Sequence, residues 1–462
     1  MLSSLRAAGL SVLCAALLAI GHAGPAAAVT APDLPDPVEF TLDNGLQVVV
    51  IEDHRAPVVT QMIWYRVGSA DDPVGLSGMA HYVEHLMFMA TETRPEGTFD
   101  ATLRQQGARY NAFTSHDFTA YYQRLAADRL EMAMELEADR MANLRPDLST
   151  WERERSVILE ERGQVLESNP QRVLSEQMRA ALFRHHPYGI HPLGWRHEME
   201  LLDADSATEF WQRHYGPNNA VLIVAGAVDA EAVRAMAERH FGPIPPNPAI
   251  TERQRRAEPP QLAERRLTLV DERVARPSMM RMYLAPTRRA GDQAEAAAFQ
   301  VLAMLLGGSA RTAVLPRALV RERGVAEAAW AGFNGTALDH GTFSLGLTPA
   351  EGHSLQEAED ALDAVLAGFI ENGVDVDQLE RAQVRIRGWA IYGLDDQESR
   401  ANWIGSALTT GLTLQDEQDW IDILLAVTEE DIIAAARALD RRASVTGWLV
   451  PEPEPEQEGE PS

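Results

Sequence analysis

The stretch His81-Tyr82-Val83-Glu84-His85 constrains this chain more than any other. Two histidines four residues apart lie one turn apart on the same face of a helix, where both imidazoles can reach one metal ion. Glu84 falls three residues after His81 and one before His85, so it borders that face. A zinc hydrolase needs such a set: neutral nitrogen ligands and a carboxylate left free to act as a base on water at the metal. The order His-x-x-Glu-His inverts the commoner His-Glu-x-x-His. The flanks also predict a helix, with Ser77 as candidate N-cap before an apolar run ending near Ala90. His81, Glu84, His85 and Phe88 fall on one side of it, and Ala80, Val83, Leu86, Met87 and Ala90 on the other. The motif thus rides a helix whose back is core.

A third ligand is sought in a second helical pattern, residues 151–166. There Glu154, Val157, Ile158, Glu161 and Val165 form a stripe, with Arg153, Arg155, Glu160 and Arg162 off it. Carboxylates inside an apolar stripe either turn to solvent and pair with arginines, or are buried. A buried carboxylate is costly unless it is paired or binds metal. Beside the histidine motif, the metal-binding reading prevails.

With both segments in hand, the chain resembles the insulinase/pitrilysin family of inverted-motif zinc peptidases, which includes the mitochondrial processing peptidase. The family pattern places a glutamate about 76 residues after the motif, in a segment like Glu-Arg-x-Val-Ile-x-x-Glu. Here that segment runs Glu154-Arg155-Ser156-Val157-Ile158-Leu159-Glu160-Glu161. Further matches are Gly68-Ser69, Asn111-Ala112-Phe113-Thr114-Ser115, His186-Pro187-Tyr188-Gly189 and Tyr215-Gly216-Pro217-Asn218-Asn219-Ala220. The resemblance implies one zinc per chain held by His81, His85 and Glu161, with Glu84 as general base and Glu154 supporting the ligands from behind. It also implies that the strand containing Asn111, Ala112 and Phe113 lies at a sheet edge and binds substrate as an added strand, a mode that asks little of side-chain identity. His116, an isolated loop histidine, reads as a surface group. His185, His186 and His191 lack i,i+4 spacing and read as a loop packed against the site, without metal.

Residues 1–28 read as a cleaved secretory signal, with Arg6 as the only charge, an apolar Leu10–Ile20 core and Ala26-Ala27-Ala28 before Val29. The apolar run is short for a membrane span. Cys14, the only cysteine, lies within it, and Leu13 before it argues against a lipoprotein anchor. The mature chain therefore has no disulfide, and a periplasmic or secreted location without stable membrane insertion is expected. The net charge is −27, and all 41 basic residues are arginine. Nucleic acid is disfavoured as a partner because a phosphate-tracking basic surface is missing.

Some 430 mature residues exceed one ordinary core. The expected division is a zinc-bearing lobe at 36–245, a linker at 246–264 rich in prolines and charges, a second lobe at 265–450 and a disordered Pro/Glu tail at 451–462. A hairpin from Glu39 to Ile51, turning at Asp43-Asn44-Gly45, a strand through Val58 to Val67 and the metal helix open the first lobe. Strands near Leu267–Val270 and Met279–Leu284, then an alanine-rich helix from Ala294 to Leu306, open the second in the same order, without histidines. Two short strands are expected around Ser115-His116-Asp117. The fold class is α+β: two homologous lobes, each a mainly antiparallel sheet packed against helices.

One departure stands out. Active members of the family carry an arginine and a tyrosine seven residues apart in the second lobe, which contact the substrate carbonyl. Here Val320 and Glu327 occupy those places, with Arg321 and Arg323 as the nearest arginines and no tyrosine between Tyr283 and Tyr392. The expectation is an exported zinc endopeptidase acting on peptides or unfolded segments. It is expected to pair with a homologous chain that supplies the missing residues, or with a second copy of itself. The alternative is a non-catalytic subunit of a peptidase-like assembly.

Overall fold

The computed structural model describes residues 35–453. The expected signal segment and residues 454–462 of the expected tail lie outside the described residues, while Pro451 ends a strand instead of opening that tail. The first sheet runs β1 (Val38–Thr41), β2 (Gln47–Glu52), β6 (Ala220–Gly226), β3 (Val58–Tyr65), β5 (Thr119–Ala126) and β4 (Arg109–Thr114). The second runs β7 (Arg265–Asp271), β11 (Ser444–Pro451), β8 (Ser278–Ala285), β10 (Gly341–Pro349) and β9 (Ala326–Asn334). Apart from β1 the two orders correspond strand for strand. Each holds one parallel pair, β2 with β6 and β7 with β11, and is otherwise antiparallel. The hairpin turns at Gly45, whose φ of 89° is one that glycine adopts without strain. The fold is therefore the expected two-lobed α+β architecture.

The first half carries α1 (Met79–Leu86), α2 (Thr98–Gln105), α3 (Leu130–Asn143), α4 (Leu148–Arg162), α5 (Pro170–Leu182), α6 (Arg196–Met199), α7 (Ala204–His214) and α8 (Ala230–His240). The second carries α9 (Ala294–Gly307), α10 (Leu355–Asn372), α11 (Val376–Asp395), α12 (Gln397–Thr409), α13 (Leu414–Ala426) and α14 (Glu429–Ala438). Successive strand residues point to opposite faces, and the first sheet is buried on both. Val48, Val50, Ile63, Leu222 and Val224 meet α1, α3, α7 and α8, whereas Val49, Ile51, Met62, Trp64 and Ile223 meet Ala401, Ile404 and Leu408 of α12. The exchange is mutual: Leu174, Met178 and Leu182 of α5 pack on Met280, Met282, Val445 and Leu449 of the second sheet. Each sheet is thus covered by a helix from the other half of the chain.

The motif helix differs from expectation at both ends. Gly78, at φ 88°, precedes it and Ser77 does not cap it, because the Ser77 hydroxyl accepts the Trp195 amide instead. Asp72 takes the capping role from a distance, accepting the amides of Gly78 at 2.7 Å and Ala80 at 2.8 Å. After Leu86 the chain leaves the helix and Phe88 enters an aromatic cluster with Phe99, Tyr110 and Tyr121. The second pattern starts three residues early, at Leu148, where Asp147 accepts the Thr150 amide, and ends in a π-helical turn over Gly163–Glu167.

Candidate metal centre

α1 and α4 bring the motif residues together. The Tyr82 hydroxyl ties the two helices by donating to the Trp151 carbonyl at 2.5 Å. His81 Nε2 lies 3.5 Å from Glu161 Oε2, and His85 Nε2 lies 3.3 Å from the same oxygen. One donor atom from each of the three residues falls within 4.8 Å of the others. Ligands about 2.0–2.1 Å from a tetrahedral zinc stand roughly 3.3 Å apart, so this trio has the spacing a zinc ion requires. Among the described residues it is the only group of three histidine, cysteine, aspartate or glutamate side chains so disposed.

The surroundings support that reading. His85 Nδ1 faces Glu154 Oε2 at 3.6 Å, the carboxylate–histidine arrangement that orients imidazole ligands. Glu154 is buried and is met on its other side by Arg153 at 3.4 Å. The two carboxylates of the α4 stripe therefore divide: Glu161 joins the histidines directly, and Glu154 stands behind one of them. His81 Nδ1 is buried with no hydrogen-bond partner among the described residues. Burial alone would lower the His85 pKa, but the carboxylates of Glu154 and Glu161 outweigh it and raise it to about 9. Hydrogen bonds from His81 and His85 hold Glu161 far below the usual carboxylate range.

Glu84 is buried beside the trio without joining it. Its Oε2 accepts from the Thr114 hydroxyl at 2.5 Å, and burial pushes its pKa up against the opposing pull of His81, Thr114 and His85. Thr114 ends β4, the outermost strand of the first sheet, so sheet edge and carboxylate adjoin. On β4, Asn111 is exposed, Ala112 is buried in the core under α1, and Phe113 packs edge-on against Trp64 at 5.3 Å. The side chains of Ala112 and Phe113 are thus committed to packing, and the strand offers chiefly its main chain.

Other expectations need correction. His116 is not a surface group: its Nε2 bonds the Ile190 carbonyl at 3.0 Å, and burial pushes its pKa down to about 3. It also stays outside the trio. Arg162, read as lying off the stripe, is buried and pairs with Glu176 at 2.9 Å: the buried face of α4 runs through Trp151, Glu154, Ile158 and Arg162 at regular helical spacing, while Val157 is exposed. His186 is buried against Asp339 of the second half at 3.1 Å, and burial lowers the His191 pKa to about 4, with the charges of Arg179, Arg162 and His81 adding to it. Residues 246–264 contain no helix or strand, yet the side chain of Arg255 from this stretch is buried and reaches Asp71 at 3.1 Å, Asp117 at 3.4 Å and Asp339 at 3.9 Å. That ionic knot joins the β4–β5 turn to the second half. Arg255 carries no signal in the run Arg253-Gln254-Arg255-Arg256, whereas Thr114 lies in a segment the sequence had singled out. In the second half, Val320 lies in a π-helical segment, Pro316–Glu322, packed against the core. Glu327 is exposed and pairs with Arg276, and Arg321 donates to the Arg311 carbonyl at 3.0 Å.

Residues 47–194 match the family model described as insulinase (peptidase family M16), and residues 202–385 match the model described as peptidase M16 inactive domain. An uncharacterized zinc protease of Mycobacterium leprae is 27% identical over 405 residues, 86% of this chain and 88% of that one. The zinc protease PqqE of Helicobacter pylori is 32% identical over 209 residues, 45% of this chain and 47% of that one. The crystal structure of a protease from Helicobacter pylori superposes with a TM-score of 0.83 at 24% identity, over 90% of this chain and all of that one.

Proposed function

The chain belongs to the insulinase family of peptidases (family M16), and from that premise we propose that it is a zinc-dependent endopeptidase that hydrolyses peptides or unfolded polypeptide segments. The observation that carries the proposal is the pairing of a three-donor cluster with a buried carboxylate that takes no part in it. His81, His85 and Glu161 would hold one zinc, leaving a fourth position open as catalytic sites do. Bound there, the metal supplies a Lewis acid that acidifies water to near neutrality and polarises a carbonyl. Glu84 would accept the proton of the attacking water and pass it to the leaving amine. Its burial favours this role, because a raised pKa brings a carboxylate closer to working pH. Thr114 fixes the Glu84 oxygen it bonds, and Glu154 fixes the His85 ring. A peptide pairing with the outer edge of β4 would run past Glu84, held by main-chain bonds.

Export is part of the same proposal and is supported by the signal-like sequence of residues 1–28; no helix among the described residues is long and apolar enough to cross a membrane. A second reading, a non-catalytic homologous subunit, draws on Val320 and Glu327 standing where active relatives carry arginine and tyrosine. A partner chain with that pair, or a second copy, would complete the site. The test is zinc content and hydrolysis of an unstructured peptide by the purified chain, with chelation and zinc restoration as controls. One zinc per chain and reversible loss of hydrolysis are expected. Zinc binding without hydrolysis in any assembly would favour the subunit reading.

A further inference from the structure

Away from the metal trio, α11, α12 and α13 enclose a cavity of about 590 Å3 that opens beside Asp36 and Pro37, just ahead of β1. None of His81, His85, Glu154 or Glu161 lines it. Its walls are Trp389, Trp403 and Trp420 with Ile404 and Leu414, and the Trp389 and Trp403 rings lie 4.6 Å apart. The size and the apolar, aromatic lining are those of a small-molecule site. One cation reaches into it. Arg400 of α12 lines it, is 7% exposed and forms no ion pair among the described residues; its Nη1 is sealed from the cavity and has no hydrogen-bond partner, which leaves the rest of the guanidinium to face a ligand.

An unpaired buried guanidinium is costly, and chains pair one wherever they can. The acidic groups nearby do not satisfy it. Asp53 is bound by Arg55 at 2.7 Å, and Glu417, which also lines the cavity, is paired with Arg288 at 2.8 Å. Asp36 is exposed at the mouth and forms no ion pair with Arg400 among the described residues. The cavity therefore combines a tryptophan-walled apolar space with one unspent, fork-shaped donor, in a molecule whose net charge of −27 otherwise repels anions. A single guanidinium matches a carboxylate bidentately, and with only one cation at hand the site suits a monoanion.

We propose that this cavity is a binding site for a small carboxylate with a flat or branched apolar body, the body among the tryptophans and the carboxylate on Arg400. A free carboxylic acid and the C-terminal end of a short peptide share that chemistry. The site is independent of the peptidase reading, since no residue of the metal centre takes part.

The three tryptophans make the test direct. The full mature chain is titrated with 3-phenylpropanoate and with acetyl-Leu-Phe, each against its own amide, and tryptophan emission and melting temperature are followed. A saturable change with a carboxylate, absent or at least tenfold weaker with the matching amide, is expected. Response to the free acid or to the peptide tells which source the site accepts. Arg400→Gln should fold, keep its zinc, melt no lower than the parent and lose about 10–100-fold in carboxylate affinity, the usual cost of a charged hydrogen bond. Equal binding of acid and amide by the parent chain, or no saturable response to either carboxylate up to millimolar concentration, would overturn the proposal without recourse to the variant.

Discussion

Zinc binding should be strongly proton-coupled, and His85 sets the size of the effect. In the metal-free chain His85 sits between Glu154 and Glu161, which hold its proton with a pKa of about 9. A metal can use that nitrogen only after the proton leaves. At pH 7 the protonated form exceeds the neutral one by about 100-fold, a handicap of about 2.7 kcal/mol at 1.36 kcal/mol per pH unit. Apparent zinc affinity should therefore rise about tenfold per pH unit from pH 7 to pH 9 and then flatten. About one proton should be released per zinc at pH 7, readable by calorimetry in buffers of differing ionisation enthalpy. Glu154→Gln removes one of the two carboxylates and should move the bend to lower pH. The same shift acts on the metal-free fold. His85 binds its proton more tightly folded than unfolded, where its pKa is near 6.5, so its contribution is complete below about pH 6.5 and fades as pH rises through about 9. Glu161, depressed in the fold, contributes above its unfolded value near 4.3 and loses that contribution as pH falls through its folded value. A zinc affinity independent of pH between 7 and 9, with no proton release, would refute this electrostatic picture.

Three other outcomes are expected. Glu161→Gln should lose zinc far more than Glu154→Gln, which should still cost about 10–100-fold in metal affinity or activity; equal zinc retention in Glu161→Gln and parent would remove Glu161 from the ligand set. Arg255→Gln leaves Asp71 and Asp117 without their buried counter-charge and should destabilise the chain by about 3–5 kcal/mol in denaturant titration; a loss below 1 kcal/mol would mean that the knot is not what joins the halves. Addition of a homologous chain carrying the arginine and tyrosine should raise kcat by about 10²–10³, the usual worth of an oxyanion donor; a fully active monomer would exclude any need for a partner.

The features legible in the sequence are those carried by local periodicity. His81, Glu84 and His85 announce a helix face because i,i+4 spacing means little in any other conformation, and the matching strand–strand–helix openings forecast the paired sheets. The α4 stripe offered Glu154 and Glu161 equally, and only the family resemblance ranked them. What was hidden depends on tertiary placement. An amphipathic helix such as α12 does not declare which sheet it will cover, so the mutual covering by α5 and α12 had no signature. Arg162 shares the buried face of Glu154 and Ile158, but a lone arginine in the sequence argues for solvent, and its burial depends on a tertiary partner, Glu176. Arg255 and Arg400 look like ordinary surface arginines in a chain whose 41 cations are all arginine, and only burial distinguishes them. Asp72 caps α1 from six residues before Gly78, beyond the reach of a local capping pattern.

In the proposed function the chain holds zinc through three residues and performs chemistry through a fourth that does not touch the metal. Glu84→Gln separates these two roles when zinc stoichiometry and peptide turnover are measured on the same preparation, alone and with any homologous partner. The variant should hold one zinc per chain, as in the parent, with hydrolysis reduced at least about 10²-fold, the scale of general-base catalysis. Turnover at the parental rate, or loss of zinc along with activity, would contradict that proposal.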